Sequence, residues 1–221
     1  MTGQANGRAV PGLGGTGRVA DELYLIAHHE LTGRPHLAPR AVGLGLAGAL
    51  LAELVLADAI TIEAGTVASA WPEQAGDQLT AAVAARIAGE YTHPVADWLA
   101  FLARTAAGDV AARLADAGYL AAAPRRSRRA AQWVPTDPDC AFAPVARLNA
   151  ALNLSRPGDG QVVALGGLAA ACGLGPRLLL YLPAGARARI DALVGLLGPG
   201  LGEVIAQTQA AVDAALLAHR I

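Results

Sequence analysis

The sequence predicts a mainly α protein, a single helical domain with short β-hairpins, and three observations carry that expectation. Over residues 41–57 the only charged side chain is Glu53, so this run has no polar face and must be packed by neighbours on nearly all sides. Residues 60–63 and 66–69 flank Ala64 and Gly65, a two-residue connection with the glycine that hairpin turns favour. The last third alternates apolar helical stretches with breaks at Gly158, Gly160, Gly173, Gly198, Pro199 and Gly200.

The run over 41–57 is the expected centre of the core. A membrane span needs roughly 20 apolar residues. This run is shorter, carries Glu53 and is bracketed by Arg40 and Asp58, so it reads as a buried core helix. Gly43, Gly45, Ala47, Gly48 and Ala49 replace large side chains over two turns, which lets other backbones approach closely. Glu53 itself reads as a buried carboxylate held by an arginine or by backbone donors.

At 221 residues and 54% hydrophobic composition, the chain has enough apolar surface for one domain, expected over 19–221 behind a flexible tail over 1–18. Gly12, Gly14 and Gly17 in that tail fit G-x-G-x-x-G, but no strand precedes them and a dinucleotide site is not expected. The tail also lacks an apolar signal-peptide core, which makes the cytoplasm the expected compartment. Residues 19–26 read as a first helix or a strand end. His28, His29 and Glu30 follow in an order that does not fit H-E-x-x-H, so a loop-edge histidine pair is expected there instead of a metal site. The loop over 32–39, with Gly33, Pro35 and Pro39, is made locally basic by Arg34, His36 and Arg40.

After the first hairpin, Asp77 is expected to cap a helix reaching about residue 90. Pro94 then opens a helix over 95–106 that Gly108 ends, and Asp109 caps a short helix stopping at Gly118. Tyr119 and Leu120 begin a strand whose return is Trp133, Val134 and Pro135. Arg125, Arg126, Arg128 and Arg129 lie near the tip between them, either as a solvated loop or as a contact to an anion or membrane surface. Trp133 reads as a core anchor. Asp137 and Asp139 around Pro138 read as turn chemistry. Helices are expected over 143–152, 161–171, 184–197 and 201–217, and Cys140 and Cys172 as buried thiols without a disulfide.

Little in this pattern points to catalysis: no nucleophile and base, metal cluster or supported phosphate loop is found, so no catalytic residue, cofactor or metal is expected. A helix, Gly-Tyr-Leu and an arginine-rich hairpin also occur in winged-helix modules. The apolar helices show no basic recognition face and the net charge is −1, so nucleic acid is not an expected partner.

LGLAGALLAELVLADAITIE resembles the signature helix and strand of the Golgi phosphoprotein 3-like family. VADELYLIAHHELTG is similar to that family's apolar segment running into a polar loop, and VAARLADAGYL to its short helix before a strand. RRAAQWVPTDP falls where the family returns through a β-hairpin, and GDGQVVALGGLAAACGL is similar to its later apolar helix, so the resemblance runs from Val19 to the C-terminus. The family includes bacterial members, and a chain whose 17 basic residues are all arginine suggests a GC-rich bacterial background.

The resemblance implies a mostly helical domain with short hairpins that is not an enzyme. Eukaryotic members are peripheral Golgi proteins that bind phosphatidylinositol 4-phosphate through a tryptophan and several arginines, and they link membranes to cytosolic or glycosyltransferase partners. The family's tryptophan falls at Ala38, the arginine of its Leu-Arg-Gly step at Ala47, and its two helix arginines at Arg104 and Ala107. The expected anion site therefore combines Arg104 with Arg34 and Arg40 from the basic loop, and Arg125 and Arg126 from the hairpin. Its expected partner is an anionic lipid or phosphoinositide head group, met at the inner membrane surface. The alternative for Arg104 is a helix-surface ion pair with Glu90 or Asp97. The alternative for the whole chain is a protein-interaction or self-associating module that has lost lipid binding and acts through the hairpin around 125–133.

Overall fold

The computed structural model describes residues 15–123, 132–153, 159–178 and 182–218. The expected arginine tip over 125–129 lies outside the described residues, as do Gly12 and Gly14.

Helix α1 (Val19–Ala27) and helix α2 (Pro39–Leu56) pack together in the core, and every residue of α1 is buried. Helix α2 is the only helix among the described residues with the length and hydropathy of a membrane span, yet 72% of that window is buried inside the protein. It is the core helix the sequence predicts. Its glycines receive three different neighbours. A Cβ on Gly43 would stand 2.5 Å from the carbonyl oxygen of Ala103, one on Gly45 would meet Cys172 Sγ, and one on Gly48 would meet Thr208 Oγ1 and Leu168. Backbone brought this close increases dispersion contact on all sides of α2, which offsets the helical cost of glycine.

Strands β1 (Ile60–Glu63) and β2 (Thr66–Ser69) form the expected hairpin, with Ile60 opposite Ser69 and Glu63 opposite Thr66. Ala64 and Gly65 both have positive φ, 49° and 76°, as a two-residue turn matched to strand twist requires. A third strand, β3 (His93–Pro94), adds antiparallel to β2 and makes the order β1-β2-β3. Two residues with a proline carry too little alternation to be read as a strand from sequence, and Pro94, lacking an N–H, suits an edge.

Helix α3 (Gln78–Ala88) starts with a full capping box: Asp77 Oδ1 accepts from the N–H groups of Leu79 at 2.8 Å and Thr80 at 3.0 Å, and Thr80 Oγ1 accepts from Asp77 N–H. The helix expected over 95–106 is shorter. Helix α4 (Val95–Leu102) stops where Ala103 packs on Gly43, the chain turns, and helix α5 (Ala106–Asp116) begins after Thr105. Gly108 therefore lies inside α5 and Asp109 in its first turn, not at the boundaries the sequence suggests. The close approach to α2, a tertiary contact, sets the break.

Strands β4 (Leu120–Ala122) and β5 (Trp133–Pro135) pair antiparallel, and Trp133 is half-buried against the core. The C-terminal third comprises α6 (Asp139–Asn153), α7 (Gly160–Ala171), the single turn α8 (Gly175–Leu178), α9 (Ala186–Val194) and α10 (Pro199–Ala218). Helix α6 starts four residues before the expected 143 because Asp137 Oδ1 accepts from Asp139 N–H at 2.9 Å and opens it earlier. That bond is the turn chemistry expected of this aspartate pair. Cys140 and Cys172 are buried free thiols, and burial pushes the Cys172 thiol up to about 12.

Two glycine substitutions separate packing from propensity. Gly48→Val, which drives a side chain into Thr208 and Leu168, is expected to destabilise by about 2–3 kcal/mol. Gly108→Ala, inside a helix and facing open space, is expected to stabilise by about 0.5–1 kcal/mol. Urea unfolding of both variants checks the pair.

Candidate functional site

Glu53, the one charge in the central helix, is held as expected. Its Oε1 accepts from the Ala20 N–H of α1 at 2.8 Å, and its carboxylate receives Arg113 of α5 at 3.2 and 3.3 Å. The same guanidinium reaches Asp21 Oδ1 through Nε at 2.7 Å and Asp77 Oδ2 through Nη1 at 2.8 Å. Arg18 adds a second cation, 3.1 Å from Asp77. Beside this cluster, Glu22 accepts from Gly17 N–H at 3.0 Å and pairs with Arg147 of α6.

One arginine shared by three carboxylates does not compensate each of them equally. Burial pushes the carboxyls of Asp21 and Glu53 above the usual carboxylate range, and Arg113 only partly reverses it. At Asp77 burial also acts upward, but the Thr80 N–H together with Arg113 and Arg18 holds it below the usual value. Burial works against the charge of Arg113, and Glu53 and Asp21 outweigh it, so its pKa is raised. The cluster faces a polar cavity of about 490 Å³ lined by Arg18, Glu53, Asp77, Tyr119 and Gln161 among others. Its charges are bound to one another, which makes it a brace between α1, α2, α3 and α5.

The basic residues named from sequence stand elsewhere. The N-terminal end of α2 opens on a groove of about 640 Å³ in which Arg40 is the only charged lining residue among the described residues. Ala38, Pro39 and Leu44 line it from the α2 side, Ala96 and Ala100 from α4, and Leu216 with several alanines from α10. Ala38, where the resemblance puts the family's tryptophan, is thus a lining residue of the groove. Ala47 is fully buried in α2 and Ala107 half-buried in the first turn of α5, so neither position faces this groove.

Arg34 is exposed in the loop after α1, where His29 N–H donates to its carbonyl at 2.8 Å. That loop lies on the second hairpin: Gly33, at φ 63°, sits against the Trp133 backbone, and Gln132 Nε2 donates to the Thr32 carbonyl. Arg104 is exposed with its guanidinium 5.0 Å from the centre of the Phe101 ring, and Glu90 pairs with Arg86 at 3.4 Å. The ion pair considered for Arg104 is replaced by a cation–π contact. The groove that Arg40 lines is lined by neither Arg34 nor Arg104, and Arg125 and Arg126 lie outside the described residues.

His28 is occupied by the fold. Its Nδ1 lies 2.7 Å from the Tyr24 carbonyl, its ring stacks on Tyr24, and burial holds its pKa below the ordinary histidine value. No group of three or more His, Cys, Asp or Glu residues among the described ones is placed to hold a metal ion.

Residues 19–215 match the family model described as Golgi phosphoprotein 3 (GPP34). The chain belongs to this family. The match opens at the first residue of α1 and closes within α10, so it includes the brace, the groove and both hairpins. This Golgi phosphoprotein 3 family is not a known enzyme family. No curated protein matches the chain.

Sequence reasoning missed Arg113, Asp21 and Asp77 as one unit. The signal was Glu53: a lone buried carboxylate requires a cation, although nothing in the sequence says which one. Arg113→Met should destabilise by about 3–5 kcal/mol at neutral pH, because it strands buried carboxylates. Asp21 and Glu53 have raised folded-state values, so their contribution is fullest below the ordinary carboxylate range and is lost as pH rises through those values. The deficit of the variant should therefore shrink between about pH 7 and about pH 4.5, above the range where Asp77 titrates, as read by urea unfolding at both values.

Proposed function

We propose that this member of the Golgi phosphoprotein 3 family is a non-enzymatic peripheral domain that binds anionic lipid head groups, phosphoinositides of the phosphatidylinositol 4-phosphate kind among them, at a cytoplasmic membrane surface. The observation that carries the reading is the groove at the start of α2, where, among the described residues, one exposed arginine stands at an otherwise apolar wall. A cation at the edge of apolar surface matches a lipid interface, with the guanidinium on phosphate and the apolar rim toward the acyl region. Arg34 supplies further exposed positive charge in the loop that leads to α2, and the sequence adds four arginines over 125–129, outside the described residues. Each such arginine is worth about 1 kcal/mol near an anionic surface, so the attraction is cumulative and salt-sensitive.

A second reading is favoured by a specific observation: alanines stand at 38, 47 and 107, three positions where the family's phosphate ligands fall. In that reading lipid binding is lost and the hairpin rooted at Trp133 meets a protein partner or a second copy.

Co-sedimentation with neutral, phosphatidylglycerol and phosphatidylinositol 4-phosphate vesicles across a salt series separates the two. The expected outcome is binding to both anionic vesicles, absent from neutral ones and fading with salt, with Arg40→Ala about fivefold weaker. Absence of binding to any vesicle at low salt would give the second reading the stronger position.

A further inference from the structure

The groove of about 640 Å³ at the start of α2 continues along α10. Gly48 of α2 stands against Thr208, and Gly200 against Val55, so α10 runs antiparallel to α2 and its last turn returns to the Arg40 end. On α10 the wall is Ala211, Ala214, Ala215 and Ala218, spaced i, i+3, i+4 and i+7 on one helix face. On α4 it is Ala96 and Ala100, one turn apart. The α10 wall is about 10 Å long, at about 1.5 Å per residue. Leu216 and Leu217 on the last turn of α10 are 42% and 64% exposed, so large apolar side chains stand in solvent at the end where Arg40 lies. Among the described residues Arg40 makes no ion pair, and no carboxylate lines the groove.

The chemistry of these walls selects the occupant. An extended peptide would bring N–H and C=O groups against alanine methyls that offer them no partner. A second copy docked across a two-fold axis would bring two arginines into one apolar interface, with no lining carboxylate to receive either. A hydrocarbon chain carries no polar group to satisfy, and a phosphate at its end meets the guanidinium. We infer that the groove takes one acyl chain of an anionic phospholipid, with the phosphate at Arg40 and the chain running from there toward Leu44 and Ala211. At roughly 1.3 Å per carbon of an extended chain, given a C–C bond of about 1.5 Å, the alanine wall covers about eight carbons. Leu216 and Leu217 meet the membrane beside the phosphate, so the chain passes from bilayer to groove without crossing water. The inference rests on the lipid-surface reading and goes beyond it: a surface contact leaves both chains in the bilayer, whereas the groove draws one out.

The test is calorimetric titration of the full chain with butyl, hexyl, octyl and dodecyl phosphate, each below its micelle concentration. Affinity is expected to rise about two- to fourfold per methylene as far as octyl and to level off beyond it. Ala100→Phe and Ala214→Phe, both at exposed positions on the groove walls, should weaken octyl phosphate about tenfold and butyl phosphate far less, with urea unfolding close to that of the parent chain. Arg40→Ala should weaken every member about fivefold and leave the rise with chain length intact. Affinity independent of chain length, or a rise that survives both phenylalanine variants, would overturn the inference. A flat series together with a dimer that Ala100→Phe breaks would overturn it in favour of a second copy. Co-sedimentation with phosphatidylglycerol vesicles keeps the two readings apart. Ala100→Phe is expected to bind them more weakly than the parent chain; equal binding would remove the groove and leave the surface reading standing. A rise with chain length but no vesicle binding would overturn the phospholipid assignment and point to a free amphiphile.

Discussion

The guanidinium of Arg113 is the interaction on which the rest of the fold depends. It joins Asp21 on α1, Glu53 on α2 and Asp77 at the cap of α3, and it is carried by α5, so one side chain ties four segments that the chain order keeps far apart. Isolated apolar helices can slide or rotate against one another at small cost, since dispersion contacts are non-directional. A planar guanidinium with donors in fixed directions cannot be satisfied in alternative registers. The raised values of Asp21 and Glu53 show what this costs: burial is not fully offset, so the cluster supplies orientation more than net stability.

Fixing α2 against α1 and α5 also fixes what surrounds it. Gly43, Gly45 and Gly48 give close approach to the turn after α4, to the end of α7 and to α10 respectively. The turn after α4 is the most consequential of these. Because Ala103 rests on Gly43, α4 is short, Arg104 is turned outward, and α5 restarts at the angle that delivers Arg113 to Glu53. The brace and the exposed arginine are two products of one backbone contact.

Most of the architecture was legible because it rests on local signals. A charge-free run, an Ala-Gly turn with two positive φ values and an aspartate at a capping position each specify their element without help from the rest of the chain. The break between α4 and α5 was not, because Gly108 looks like a stop and the true stop is a contact with a glycine about 60 residues earlier. The same limit applies to the site. Glu53 announced that a partner must exist, but Arg113, Asp21 and Asp77 come from three other elements, and Arg86 reaches Phe101 only once α3 and α4 are packed. Arg34, Arg40 and Arg104 were found as arginines, yet their dispersal follows from helix directions that no spacing rule encodes.

Helix α4 then divides the surface into two chemically different sites. Val95, Trp98, Leu99 and Leu102 face the core and hold the helix in place. On one flank Ala96 and Ala100 are too small to fill the space beside α2 and α10, which leaves an apolar groove with Arg40 at its edge. On the other flank Asp97 and Phe101 meet Arg86 and Glu90 of the α3 end, giving a cavity with aromatic walls, two carboxylates and one arginine. Arg104, one turn beyond Ala100 and Phe101, is turned to the Phe101 side. The arginine that the family resemblance assigns to a phosphate pocket thus stands over an aromatic ring and not in the groove that Arg40 lines. An apolar groove edged by one arginine and a cavity lined by aromatic rings and carboxylates are therefore separated by the width of one helix, and the turn after α4 sends Arg104 to the ring of Phe101 instead of the groove.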